Sequence, residues 1–396
     1  MLALRCTACR ADYAFPSDRS RCLDCGEPLE AELDGLEGAA VRTGFQSLPV
    51  RYADFLPWVQ GLEDFSLGEG NTPLIRWRSP PDDLSGLSLS LKNEGLNPTW
   101  SFKDRGTFTG LCLALQLEYE AVGTVSTGNM AASVAAYARA AGIKAFILVS
   151  EGLAQHKIAP IAVYQPELIM VQGDYGRLYS RTLELAERFK VLFINSDAPL
   201  RVEGSKTIAF EICEQTAFEV PDYVVVPASS GGNLRGIIKG FEEFRTAGLI
   251  ETEPRFIAAQ ASGCAPIVRA WQAGRRSIER IADPQTVAQA IKNPDPPSGN
   301  QVLRKLQAKG GLAVEVSDEE ILSAQGLMAT SGIFGQPAAA VPLAAVRRLH
   351  HEGRIEAGAR VILVVTGSGL KDPRALESRD LQVVKTHLDD LDSVFG

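Results

Sequence analysis

One lysine in this chain stands where its amine could act as a nucleophile. In Asn97-Pro98-Thr99-Trp100-Ser101-Phe102-Lys103-Asp104-Arg105-Gly106, a turn at Asn97-Pro98 and hydroxyl residues suited to capping lead into a charged cluster at a helix start. A lysine near a helix N-terminus and an arginine feels a field that favours its neutral amine. The neutral amine is the form that attacks an aldehyde. Alone, the cluster reads as an ordinary solvated Lys-Asp-Arg face. Two other segments change that reading. Ser126-Thr127-Gly128-Asn129 follows a strand pattern and opens a helical one, offering backbone N–H groups, hydroxyls and one amide to an anion. Ala228-Ser229-Ser230-Gly231-Gly232-Asn233 occupies the same kind of junction, and its small residues let backbone N–H groups close around a phosphate. It lacks the Lys-Ser/Thr ending of a nucleotide-triphosphate loop and the full dinucleotide pattern, so a single phosphate monoester fits it better.

A second chemistry is written at the N-terminus. Cys6-x-x-Cys9 and Cys22-x-x-Cys25, with Gly26 after the second pair, have the spacing of two knuckles around one tetrahedral zinc. A segment this small cannot bury a core, so a metal would supply its stability. The alternative is a degenerate ribbon that keeps its thiols without the metal. Four arginines face five carboxylates in residues 1–30, which is no nucleic-acid footprint. Cys112, Cys213 and Cys264 lie in apolar stretches and read as small core residues.

These residues need elements to hold them. From about residue 120, apolar strand patterns alternate with helical ones. Strands are expected at Thr124–Thr127, Ala145–Val149, Leu168–Val171, Val191–Asn195, Tyr223–Pro227 and Val361–Thr366. Helices are expected at Asn129–Ala141, Ser180–Phe189 and Ser205–Glu214, and a loop at the proline-rich Lys292–Gly299. Such alternation predicts parallel sheets covered on both faces, with ligands beyond the carboxyl ends of strands. The 396 residues, 45 % hydrophobic, can bury more than one core. A formal charge of −8 repels nucleic acid and anionic lipid overall, but leaves room for a local basic pocket. No apolar run is long enough to span a bilayer and no signal peptide is evident, so a soluble, cytoplasmic protein is expected.

Taken together the motifs resemble the threonine synthase family, within the tryptophan-synthase-β-like class of pyridoxal-phosphate enzymes. The resemblance is carried by Tyr52–Pro57, Gly68-Glu69-Gly70-Asn71-Thr72-Pro73-Leu74, Ser101–Gly106 and Ser126–Asn129. It continues through Asn195-Ser196, Arg201-Val202-Glu203-Gly204, Cys213-Glu214-Gln215 and Thr366-Gly367-Ser368-Gly369-Leu370-Lys371-Asp372. It implies an α/β fold of two open twisted sheet domains with a small N-terminal zinc ribbon. The ribbon would be residues 1–30. The large domain would combine 31–95 with 200–380, the small one would be 96–199, and 381–396 would form a tail, read as a peripheral helix.

The resemblance also implies roles. Lys103 would hold pyridoxal 5'-phosphate as a Schiff base, and Asn129 would bond the ring hydroxyl. Ser229, Ser230, Gly231, Gly232 and Asn233 would cradle the phosphate, and Thr366 would face the pyridine nitrogen. The enzyme would be a carbon–oxygen lyase that converts O-phosphohomoserine and water to threonine and phosphate. Lys103 would move protons at the α and β carbons. Arg201 would bind the substrate phosphate, since guanidinium suits phosphate bidentately, with Asn195, Ser196, Ser126 and Thr127 beside it. The competing reading of Arg201 is a surface salt bridge with Glu203. A homodimer is expected. Departures from the family pattern are Trp100 where glycine is usual, Gln336 where an acid is usual, Ser368 where His or Asn is usual, and a loosely matching Ala290–Pro294. His156 is read as a surface residue in a loop where the family often has lysine. Two alternatives stay open: a cysteate-synthase-like replacement on O-phosphoserine with sulfite, and a non-catalytic binding protein. A dehydratase is disfavoured by the expected phosphate site.

Overall fold

The computed structural model describes residues 2–42, 44, 47–152, 155–172, 175–372 and 384–395. Three sheets organise it. Strands β1 (Leu2–Cys6), β2 (Asp12–Tyr13) and β3 (Leu29–Leu33) form a small antiparallel ribbon in the order β2-β1-β3. Strands β4 (Leu74–Arg76) and β5 (Ser88–Asn93) join β10 (Tyr223–Pro227), β11 (Arg255–Ala261), β12 (Leu312–Val316) and β13 (Arg360–Val365) in a six-stranded sheet. Its order is β12-β11-β10-β13-β5-β4, parallel except for the β4–β5 pair. Strands β6 (Ala121–Val125), β7 (Lys144–Ser150), β8 (Glu167–Val171) and β9 (Leu192–Phe193) form a parallel sheet in the order β8-β7-β6-β9.

The expected α/β architecture is present, and the reason is visible strand by strand. Along β10 and β13, successive side chains enter opposite cores. Val224, Val226, Ile362 and Val364 belong to one cluster, and Tyr223, Val225, Val361 and Leu363 to the other. Continuous apolar runs are what a sheet covered on both faces requires. The expected elements recur with ends shifted by a few residues, except that β9 is only Leu192–Phe193. β5 and β12 escape a periodicity reading because Lys92 and Glu315 interrupt them, and β11 because it is rich in small residues. Residues 373–383, the end of the expected large domain and the first three residues of the expected tail, lie outside the described residues. Beyond them are a 3-10 turn at Leu388–Asp390 and a helical turn at Asp392–Phe395. Among the described residues, no helix is long and apolar enough to cross a membrane.

The helix Lys103–Gln116 is buried from Asp104 to Ala114. It lies against the helix Pro199–Gln215 so closely that a Cβ on Gly106 would sit 2.7 Å from the Arg201 carbonyl oxygen. Beside it is a charge network sealed from solvent. Arg105 donates to Glu94 through Nε (2.7 Å) and Nη2 (2.8 Å), and to Glu211 through Nη1 (2.6 Å) and Nη2 (2.7 Å). Lys92 Nζ donates to Glu211 at 2.6 Å and to the Thr72 carbonyl at 2.6 Å. Two cations and two carboxylates balance. Burial alone would neutralise such groups, so each ion holds its neighbours in place. Removing one partner leaves an uncompensated buried charge. Arg105→Ala should therefore cost about 3–5 kcal/mol in urea denaturation, or yield no folded protein. A loss below about 1 kcal/mol would show the network to be dispensable.

Candidate active site

A cavity of about 900 Å³ opens where the two parallel sheets point their carboxyl ends at each other. Val125 ends β6, Asn195 follows β9, Pro227 ends β10 and Thr366 follows β13, and all four line it. The wall also contains Lys103, Ser126, Thr127, Asn129, Ser196, Ser229, Ser230, Gly231 and Asn233. Segments far apart in the chain thus meet around one amine.

Lys103 is the first residue of its helix, with Nζ 4.4 Å from the Phe102 ring centroid. Burial, and secondarily the Arg201 guanidinium, bring its amine down to about 7. The arginine responsible is therefore Arg201, not the adjacent Arg105, whose charge is absorbed by Glu94 and Glu211. The expected hydroxyl cap is also absent. Phe102 is the N-cap, and Thr99 instead donates its N–H and Oγ1 to Asp104, both at 2.6 Å. Asp104 and Arg105 are completely buried, so a solvated charged face is ruled out.

The Ser229–Asn233 turn leads into the helix Gly232–Thr246. Gly231 has φ +91°, a conformation suited to glycine. Both side-chain amide atoms of Asn233 are buried without a hydrogen-bond partner. A helix N-terminus, a glycine turn and an orphaned amide suit an anion. Gly232 is outside the cavity wall. A Cβ there would meet the Ser196 carbonyl oxygen at 2.4 Å, so its lack of a side chain serves backbone packing and it can offer a ligand only its N–H. Asn129 Nδ2 donates to Gln336 Oε1 at 3.2 Å, so Gln336, also in the wall, orients that amide.

Arg201 is the residue that departs most from expectation. It is 4 % exposed and is not part of the cavity wall. Nor is it bridged to Glu203, whose carboxylate is taken by Lys206 and Lys239. Its Nη1 is buried without a hydrogen-bond partner. Trp100 does not narrow the cavity; it is 54 % exposed and outside the wall. Its φ of +64° explains why glycine suits this position, and costs a larger residue about 1–2 kcal/mol. Ser368, another departure, caps a 3-10 turn through Leu370 N–H.

Several wall residues are given no site role from the sequence. Lys371 reaches the Thr99 carbonyl at 2.6 Å, and burial lowers its amine to about 8. Asp372, Lys157 and the exposed His156 also line the cavity, as does the Gln289–Pro297 loop that includes the loosely matching Ala290–Pro294. Arg21 and Glu27 come from the ribbon. At the ribbon's tip, the sulfurs of Cys6, Cys9, Cys22 and Cys25 all lie within 4.8 Å of one another. Three pairs stand at 3.4, 3.5 and 3.7 Å. A tetrahedral tetrathiolate zinc site needs sulfurs about 3.8 Å apart, so the donor set fits. The other three cysteines are buried and unpaired, as expected of core residues.

The family model for pyridoxal-phosphate dependent enzymes matches residues 65–367. A threonine synthase of Methanocaldococcus jannaschii is 40 % identical over 86 % of this chain and 84 % of its own length. One from Methanosarcina acetivorans is 34 % identical over 100 % of this chain and 99 % of its own. Among solved structures, maize serine racemase superposes with a TM-score of 0.69 at 22 % identity, covering 82 % of this chain and 96 % of the racemase. The serine racemase of Dictyostelium discoideum gives 0.64 at 21 % identity, covering 82 % of this chain and 99 % of its own. The racemases at this identity speak for the fold alone. The threonine synthases speak for more, because they are 34–40 % identical over most or all of this chain: it belongs to the pyridoxal-phosphate-dependent enzymes and, within them, to the threonine synthase family.

Proposed function

We propose that the protein converts O-phosphohomoserine and water to threonine and phosphate, with pyridoxal phosphate held by Lys103. The observation that carries this reading is a buried amine near neutrality facing an anion-binding turn across one cavity. When bound, pyridoxal phosphate supplies an electron sink for charge developing on the substrate's α and β carbons. Ser229, Ser230, Gly231, Gly232 and Asn233 hold its phosphate through the turn's N–H groups and the Asn233 amide. Asn129, oriented by Gln336, would bond the ring hydroxyl, and Thr366 would face the pyridine nitrogen. Once its amine is free, Lys103 in the cavity wall would take and return protons at the substrate's α and β carbons.

The substrate's phosphate falls to Asn195 and Ser196 in the wall, with Ser126 and Thr127 beside them at the end of the neighbouring strand β6. Arg201 supports them from behind, and its orphaned Nη1 is the reason to keep it in the phosphate's field. The lining itself favours an anion. Arg21, Lys103, Lys157, Arg280, Lys292 and Lys371 outnumber Glu27, Asp295 and Asp372, in a chain whose net charge is −8. We assign zinc to the four ribbon thiolates on the strength of their spacing. A homodimer, as the family resemblance implies, and a cytoplasmic location complete the reading.

Phosphate release with product identification tests the substrate. O-phosphohomoserine should yield threonine, and Lys103→Ala should abolish both turnover and visible cofactor absorption. Turnover of O-phosphoserine with sulfite alone would transfer the assignment to the replacement reaction. Elemental analysis should find one zinc per chain, lost in Cys9→Ser/Cys25→Ser. The amine makes a separate prediction. Because its value is lowered to about 7, the neutral form grows as pH rises through 7. Reductive methylation of cofactor-free protein, mapped by peptide, should modify Lys103 with a midpoint near that pH, well before surface lysines. Arg201→Gln should move the midpoint upward, since the ammonium form loses a repelling neighbour. A wild-type midpoint above about 9 would contradict the assigned environment.

A further inference from the structure

We propose that Arg21, in the cysteine ribbon, is a positioning residue for the substrate-phosphate end of the cavity. The proposal rests on the reading that Asn195 and Ser196 receive that phosphate. Arg21 directly precedes Cys22 and bridges Pro28 across the second knuckle. Its backbone is therefore fixed by the ribbon, while its side chain leaves it. Nε donates to Asp197 Oδ2 at 2.9 Å, and Nη2 approaches the same oxygen at 2.8 Å. Nη2 also donates to the Pro297 carbonyl at 3.0 Å, and Nη1 to the Gly26 carbonyl at 3.0 Å. One guanidinium thus joins the knuckle to two segments that line the cavity.

Asp197 is fully buried and follows Asn195-Ser196 in the turn between β9 and the Pro199 helix. A carboxylate there is costly without a cation, and its charge would repel a phosphate held one or two residues away. Arg21 answers both problems. Arg201 and Arg235 also act on the carboxylate, but Arg21 makes the direct ion pair and keeps the turn closed, so that Asn195 and Ser196 present donors to the cavity. The knuckle's other flank is pinned as well. Glu27 accepts from Asn300 at 2.8 Å and Arg304 at 2.7 Å, and nearby Ser298 N–H donates to the Ser230 carbonyl at 2.9 Å. The ribbon is therefore a wall of the site, and its shape is read at the anion-binding turns.

The test compares wild type, Arg21→Ala, Arg21→Gln and Arg21→Ala/Asp197→Asn. Inorganic phosphate binding to the cofactor-loaded protein is measured by calorimetry, KM and kcat with O-phosphohomoserine, and hydrogen exchange of residues 192–201 in cofactor-free protein. Arg21→Ala should weaken phosphate binding and raise KM about tenfold or more, with a smaller change in kcat and faster exchange in that segment. Cofactor absorption should persist. The double variant, which also removes the negative charge that Arg21 pairs with, should recover most of the phosphate affinity, a rescue that a merely structural role would not give. Should Arg21→Ala not fold, Arg21→Gln carries the test, since it keeps length and a donor but no charge. Unchanged phosphate affinity in either variant, or no recovery in the double variant, overturns the proposal. If wild type binds phosphate but does not turn over O-phosphohomoserine, the substrate assignment fails while the positioning role stands on the binding and exchange results.

Discussion

The structure depends on a guanidinium that never touches solvent. Arg105 grips Glu94 and Glu211 with both faces of its fork, and Lys92 and Thr72 complete the ring around them. These residues come from the loop before β4, from β5 and the turn after it, from the Lys103 helix and from the Pro199 helix. Packing alone would allow such elements to slide, because apolar contact has no direction. Buried charges do have direction, and each orientation that breaks a pair strands an ion. The amine of Lys103, two residues from Arg105, inherits this rigidity without belonging to the network.

A consequence is that most of the motif residues do not face the cavity. Glu69 is held by Tyr137 and Ser66, Asn97 accepts from Gly70 N–H, and Glu214 accepts from Arg51 and Tyr52. A second sealed set, Glu203 with Lys206, Lys239 and Glu243, braces the Pro199 helix against the next one. The chain spends its buried charge on scaffolding. The cavity keeps an amine brought near neutrality, an amide without partners and a lining with more cations than carboxylates.

The ribbon belongs to the same logic. It is too small to carry a core, yet Arg235 donates to its Leu29 carbonyl and Gln301 to its Glu30. The thiol cluster at its tip and the polar bonds along its edge make it part of the wall rather than an appendage.

Reading along the chain was enough to find the fold class, the cofactor lysine and the anion turns as candidates, and the tetrahedral thiol spacing. Each is encoded locally: a continuous apolar run in Tyr223–Pro227, a glycine turn at a strand-to-helix junction, two short Cys-x-x-Cys loops. Which arginine acts on Lys103 was settled only when distant segments came together. Arg105 is its near neighbour in sequence but is neutralised by residues 94 and 211, while Arg201 arrives from another helix with its Nη1 left without a hydrogen-bond partner. Folding also turned Trp100 away from the cavity and brought Arg21 to Asp197. Charge compensation and side-chain direction depend on partners distant in the chain, and no spacing within a motif encodes them.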